Sequence, residues 1–115
     1  MGRVEPMKTL LDSQRRELIA NHETDGSVGS TMPVVKLFVC VGGNATWLLT
    51  ELDPETNIAF GLCDLGLGFP ELGYVSLTEL EETLGWRLER DRHWTPTKTL
   101  SDYAHEARAK GMVVA

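Results

Sequence analysis

Cys63 and His93, with Asp64 beside the cysteine, are the residue types of a nucleophilic site: a thiolate attacks, an imidazole takes up its proton and a carboxylate orients the ring. Nothing in their spacing brings the three together, and Cys63 lies in the apolar run NIAFGLCD, where a reduced cysteine acts as a small buried hydrophobe. A small Cys-dependent enzyme built on Cys63, Asp64 and His93 is therefore one alternative beside the reading of an inert, buried thiol.

A second grouping is Trp86-Arg87-Leu88-Glu89-Arg90-Asp91-Arg92-His93-Trp94, with Lys98 close behind. Trp86 and Trp94 could stack on bases while Arg87, Arg90, Arg92 and Lys98 contact phosphates, the division of labour of single-strand binders. Glu89 and Asp91 interrupt the basic series, so an ion-paired strand competes with the nucleic-acid reading. A third is the glycine-rich stretch LGLGFPELG at Leu65 to Gly73, the kind of segment in which backbone N–H groups can approach a phosphate. Glu71 stands where the last glycine of a dinucleotide fingerprint belongs, and no Lys-Ser or Lys-Thr pair follows, so no nucleotide cofactor is expected. Cys40, Cys63, His22, His93 and His105 form no closely spaced ligand pairs, and no metal is expected either.

Charge gives the fourth grouping. The net charge is −6, yet no Lys or Arg occurs between Lys36 and Arg87, while Glu51, Asp53, Glu55, Asp64, Glu71, Glu79, Glu81 and Glu82 all fall there. An anionic middle disfavours nucleic acid and anionic membranes and favours a cationic protein, or a complex that itself handles nucleic acid. The apolar residues among the glycines are too greasy for a solvated loop and suit a contact surface. The expected protein-binding surface is Asp64, Leu67, Phe69, Glu71, Tyr74, Glu79, Glu81 and Glu82.

The elements that must position these residues make an α+β domain: a small antiparallel sheet, formed by a three-stranded meander plus one or two further strands, with about three helices. A helix capped by Thr9 or Asp12 runs to about Asn21, and the Gly/Ser/Thr-rich HETDGSVGSTMP at His22 to Pro33 reads as a linker. Residues 1–32 are thus an N-terminal helix and flexible linker belonging to a core domain at 33–115. Val34–Cys40, Ala45–Leu52 and Asn57–Asp64 are β-rich runs separated by Gly42-Gly43-Asn44 and by Asp53-Pro54-Glu55, good turn chemistry. The near-continuous apolar character of the first two predicts cover on both sheet faces. Leu65–Gly73 reads as irregular, with Tyr74-Val75 as a short strand. Ser76 and Glu79 fit a capping box opening a helix that Gly85 ends. Trp86–Arg92 is assigned to a strand, Thr99 or Ser101 caps a last helix closed by Gly111, and Met112–Val114 is a tail or edge strand. No run is long and apolar enough for a membrane span or signal peptide, and two unpaired cysteines fit a reducing compartment, so a cytoplasmic protein is expected.

Several stretches together resemble one bacterial family: PVVKLF from Pro33, ATWLLTELDP from Ala45, AFGLCDLGLGFPELGYVSL from Ala59, and the segment from Glu89-Arg90-Asp91 to Pro96. The family is domain of unknown function twenty-nine fifty-eight, and the resemblance extends from Met7 onward. It brings no catalytic residues to carry over. It implies a setting on plasmids and other mobile genetic elements, and accessory work there such as transfer, regulation or inhibition of a host defence system.

Overall fold

The computed structural model describes residues 9–24 and 30–115. Strands β1 (Val35–Val39), β2 (Thr46–Asp53), β3 (Ile58–Asp64) and β4 (Glu71–Ser76) follow one another as an antiparallel meander. Strand β5 (Leu88–Arg90) returns to the far side and pairs with β1, giving the order β4-β3-β2-β1-β5. The β2–β3 turn works as its residue types require. Asp53 accepts from the Glu55 N–H at 2.9 Å, and Asn57 takes φ of 59°, a left-handed value asparagine tolerates.

Helices cover both sheet faces, which explains the lack of strict polar alternation in β2. Trp47, Leu49 and Leu52 pack into one core beneath helices α1 (Asp12–Glu23) and α2 (Leu77–Leu84). Leu48 turns the other way, joining Phe60 and Leu62 beneath helix α3 (Leu100–Lys110). Leu49 and Leu52 share a face although three residues apart, because a β-bulge between Leu49 and Glu51 inserts an extra residue opposite β3. The buried Thr50 hydroxyl donates to the Phe60 carbonyl at 3.4 Å.

Helix α1 is joined to this core by Leu10 and Leu18, both buried, and by Asn21, whose amide donates to the Thr50 carbonyl at 2.9 Å. Its N-cap is Leu11, not Thr9 or Asp12; the Gln14 side chain accepts from the Leu11 N–H, and Leu11 itself is exposed. The linker expected at His22 to Pro33 falls in part outside the described residues. Further on, Ser76 caps α2 by accepting from the Glu79 N–H, and Thr99 caps α3 by accepting from Asp102.

Two further expectations change. Gly85, at φ of 53°, turns the chain out of α2 into a short 3-10 helix (Gly85–Arg87), so the strand expected over Trp86–Arg92 shrinks to Leu88–Arg90. Strand β4 takes in Glu71, Leu72 and Gly73, because pairing with β3 outweighs the low strand preference of glycine. Of the two readings of Met112–Val114 the tail holds, and Val113 donates its N–H to the Asp64 carboxylate at 2.9 Å.

Candidate functional site

The residues of the alternative nucleophilic site are held apart. Cys63 points into the α1/α2 core, with its sulfur 3.9 Å from the Gly61 carbonyl oxygen and 4.0 Å from that of Gly73. Burial pushes its thiol up to about 11, the opposite of what a nucleophile needs. Asp64, next along the strand, faces the other way and accepts from the N–H groups of Gly66 and Val113, each at 2.9 Å. His93 is exposed in the connection between β5 and α3. That connection leaves the sheet three strand spacings from β3, about 14 Å. No group of three or more His, Cys, Asp or Glu that could hold a metal occurs among the described residues.

The six nucleic-acid candidates also disperse. Trp86 and Arg87 lie on the 3-10 turn, while Arg90 donates to the Thr9 carbonyl beside α1. Trp94 packs on Tyr103 beneath the sheet, ring centroids 6.0 Å apart. Lys98 is ion-paired with Glu106 and lies over the Tyr103 ring. Arg92 is exposed beyond β5. Stacking needs aromatic faces in series along a basic groove, and these side chains occupy different layers.

The expected protein-binding surface is rearranged more than dispersed. Asp64 leaves it: the residue is 5% exposed and its carboxylate is spent fastening the β3–β4 loop and the C-terminal tail. Glu79, Glu81 and Glu82 are exposed on α2, on one side of the sheet, and Glu71 is exposed at the start of the edge strand β4. Tyr74 belongs to the opposite side, its ring edge-on to Phe60 at 5.0 Å. Leu67 and Phe69 stand at the end of the sheet between these layers, 73% and 80% exposed.

That end of the sheet holds more than was visible in the sequence. Val41, Leu65, Trp86 and Met112 are also exposed, and the fold gathers them. The Cys40 N–H donates to the Arg87 carbonyl at 2.9 Å, bringing Trp86 alongside the β1–β2 loop. A Cβ placed on Gly66 would come 2.7 Å from the Asn44 carbonyl oxygen, so the β3–β4 loop lies directly on the β1–β2 loop. Gly111, which closes α3 at φ of 74°, lies over the Gly68 carbonyl, so Met112 joins the same end. Residues from four separate stretches thus form one apolar rim. Large exposed apolar groups scattered singly need no explanation, whereas this many at one end form an exposed apolar patch.

The family model described as Protein of unknown function (DUF2958) matches residues 9–114. No curated protein and no solved structure matches the chain.

Proposed function

The chain belongs to the DUF2958 family, described as a protein of unknown function, and on that premise we propose that it is a non-enzymatic protein-binding module working through the apolar loop end of its sheet. The observation that carries this reading is the gathering of Val41, Leu65, Leu67, Phe69 and Trp86, all exposed, at one end of a fold whose two cores are otherwise well covered. The partner is a cationic protein. Glu71 follows the rim loop at the start of β4, Glu79 and Glu82 are exposed on α2, and two copies of a chain with net charge −6 repel each other, which disfavours self-association as its use. A cytoplasmic accessory of a mobile genetic element fits this kind of protein, and a nucleic-acid-handling defence complex is a cationic partner of suitable chemistry.

The test compares captured proteins for the native chain, the double variant Leu67→Ser/Phe69→Ser and the reversal Glu79→Lys/Glu82→Lys, all in surface positions. The expected result is a basic partner, weakened by the apolar variant mainly through faster dissociation. The reversal slows association of the same partner, and rising salt reproduces that effect. A captured set unchanged by both variants, or loss of a dimer as the only effect, overturns the reading.

A further inference from the structure

Beneath the apolar rim, α2 does not close fully onto the sheet. A cavity of about 390 Å³ lies between them, within the range of small-molecule sites, roughly 300–1,000 Å³. Its walls are mostly apolar: Val39, Trp47 and Val75 from the sheet, Leu80 and Leu84 from α2 and Leu65 from the rim. A cavity of this character shapes an apolar body and leaves orientation to a few polar groups.

Arg87 supplies that orientation. Arg87 follows α2 at one end of the cavity, and its guanidinium donates to the Thr83 carbonyl at 3.3 Å. Among the described residues no carboxylate stands within ion-pair distance of it. A second face of the guanidinium looks across to Gly42, where a Cβ would stand 3.7 Å from Nη1; glycine's missing side chain leaves that approach open. Glu79 lies in the first turn of α2, at the other end of a helix about 12 Å long, too far to neutralise Arg87 directly.

The geometry points to a binding site for an amphipathic monocarboxylate: an aromatic or branched aliphatic body against Trp47, Val75 and Leu80, with its carboxylate on the Arg87 guanidinium beside Gly42. Arginine's planar fork suits a carboxylate, and the apolar surroundings strengthen the pairing. The cavity shares Leu65 with the rim, but its carboxylate-binding group, Arg87, is not part of the docking reading, so the two can be tested separately.

The experiment titrates the full chain with phenylpropionate, phenylpropanol and phenylpropylamine, which share one body and differ in head group, following backbone amide NMR shifts. Saturable shifts are expected at Gly42, Gly43, Leu80 and Arg87, with the acid about tenfold tighter than the alcohol and the amine weakest. Arg87→Gln brings the acid to the level of the alcohol and leaves the alcohol unchanged, Arg87→Lys retains most of the preference, and Ala45→Phe, which fills the cavity, removes all three. Absence of saturable binding by the acid, shifts confined to the rim at Leu67 and Phe69, or an amine bound as tightly as the acid overturns the proposal. The three wild-type titrations decide between these outcomes even where a variant folds poorly.

Discussion

Gly61 and Gly73 face each other across the β3–β4 ladder, and the structure predicts opposite fates for the same substitution at the two positions. A Cβ on Gly61 would lie 2.0 Å from the Leu48 carbonyl oxygen and 2.9 Å from the Leu49 Cα, both backbone atoms that cannot swing aside. The close approach sits beside the bulge in β2, whose register shift begins at Leu49, the partner of Gly61. Carbon and oxygen normally stop at about 3.3 Å, so Gly61→Ala must drive β2 and β3 apart by roughly 1 Å or distort the bulge. Overpacking of a dense core costs about 1–3 kcal/mol, and each ladder hydrogen bond weakened adds about 1 kcal/mol, so a loss of about 3 kcal/mol is expected. That is a large part of the 5–15 kcal/mol typical of a domain and lowers Tm by roughly 10 °C. At Gly73 a Cβ meets nothing within 4 Å and φ is not positive, so Gly73→Ala is neutral or stabilising by about 0.5 kcal/mol through the unfolded chain. Urea unfolding of both variants, analysed at common m, measures the difference. A loss below about 1 kcal/mol for Gly61→Ala, or equal losses for the two, would refute the proposed contact between strand backbones.

Three further outcomes follow from the same contacts. With its thiol pushed up to about 11, Cys63 carries roughly one thiolate in a thousand at pH 8; iodoacetamide should label exposed Cys40 in the native protein and spare Cys63 until unfolding, as read by mass spectrometry. Asp64→Ala removes the acceptor of two backbone N–H groups and should cost about 3 kcal/mol, with faster proteolysis within residues 65–70 and at the C-terminal tail. The hydrogen bond between Lys98 and Glu106 holds the Glu106 carboxyl below its ordinary 4.5 and the Lys98 ammonium above its ordinary 10.5. The Glu106 contribution is therefore present above pH 4.5 and fades as pH falls through its lowered value, whereas that of Lys98 is present below pH 10.5 and fades as pH rises beyond its raised value. Because solvent screens the pair the effect is small, and Glu106→Gln should flatten both limbs of the thermal stability profile against pH.

How much could be read in advance follows from how local each cause is. The meander was legible because β-rich runs alternate with Gly42-Gly43-Asn44 and Asp53-Pro54-Glu55, and each turn acts within a few residues. The cover on both faces was legible in the apolar density of β2. The bulge at Leu49–Glu51 was not, because it depends on the partner strand rather than on β2's own residue types. Nor was the turn at Trp86, where Gly85 was read as the end of a helix but not as the residue that swings Arg87 against β1. Asp64 looked like one more surface carboxylate; only the return of the tail, forty-nine positions along the chain, turns it into a buried clasp. The apolar character of Leu67 and Phe69 among glycines was visible in the sequence, whereas Val41, Trp86 and Met112 come to the same end only through long-range approach.

The return of β5 to β1 also governs when the molecule acquires its working end. The meander closes by short-range steps, each hairpin bringing together neighbours in sequence, whereas Leu37 and Arg90 must find each other across almost half the chain. Loop-closure entropy makes such a pairing the slow, late event in assembly. Because Arg87 and Trp86 reach their places only with that event, the rim and the cavity beneath it are completed last. A chain released before β5 has joined would carry its hairpins and their apolar loops yet lack Trp86 from the rim and Arg87 from the cavity.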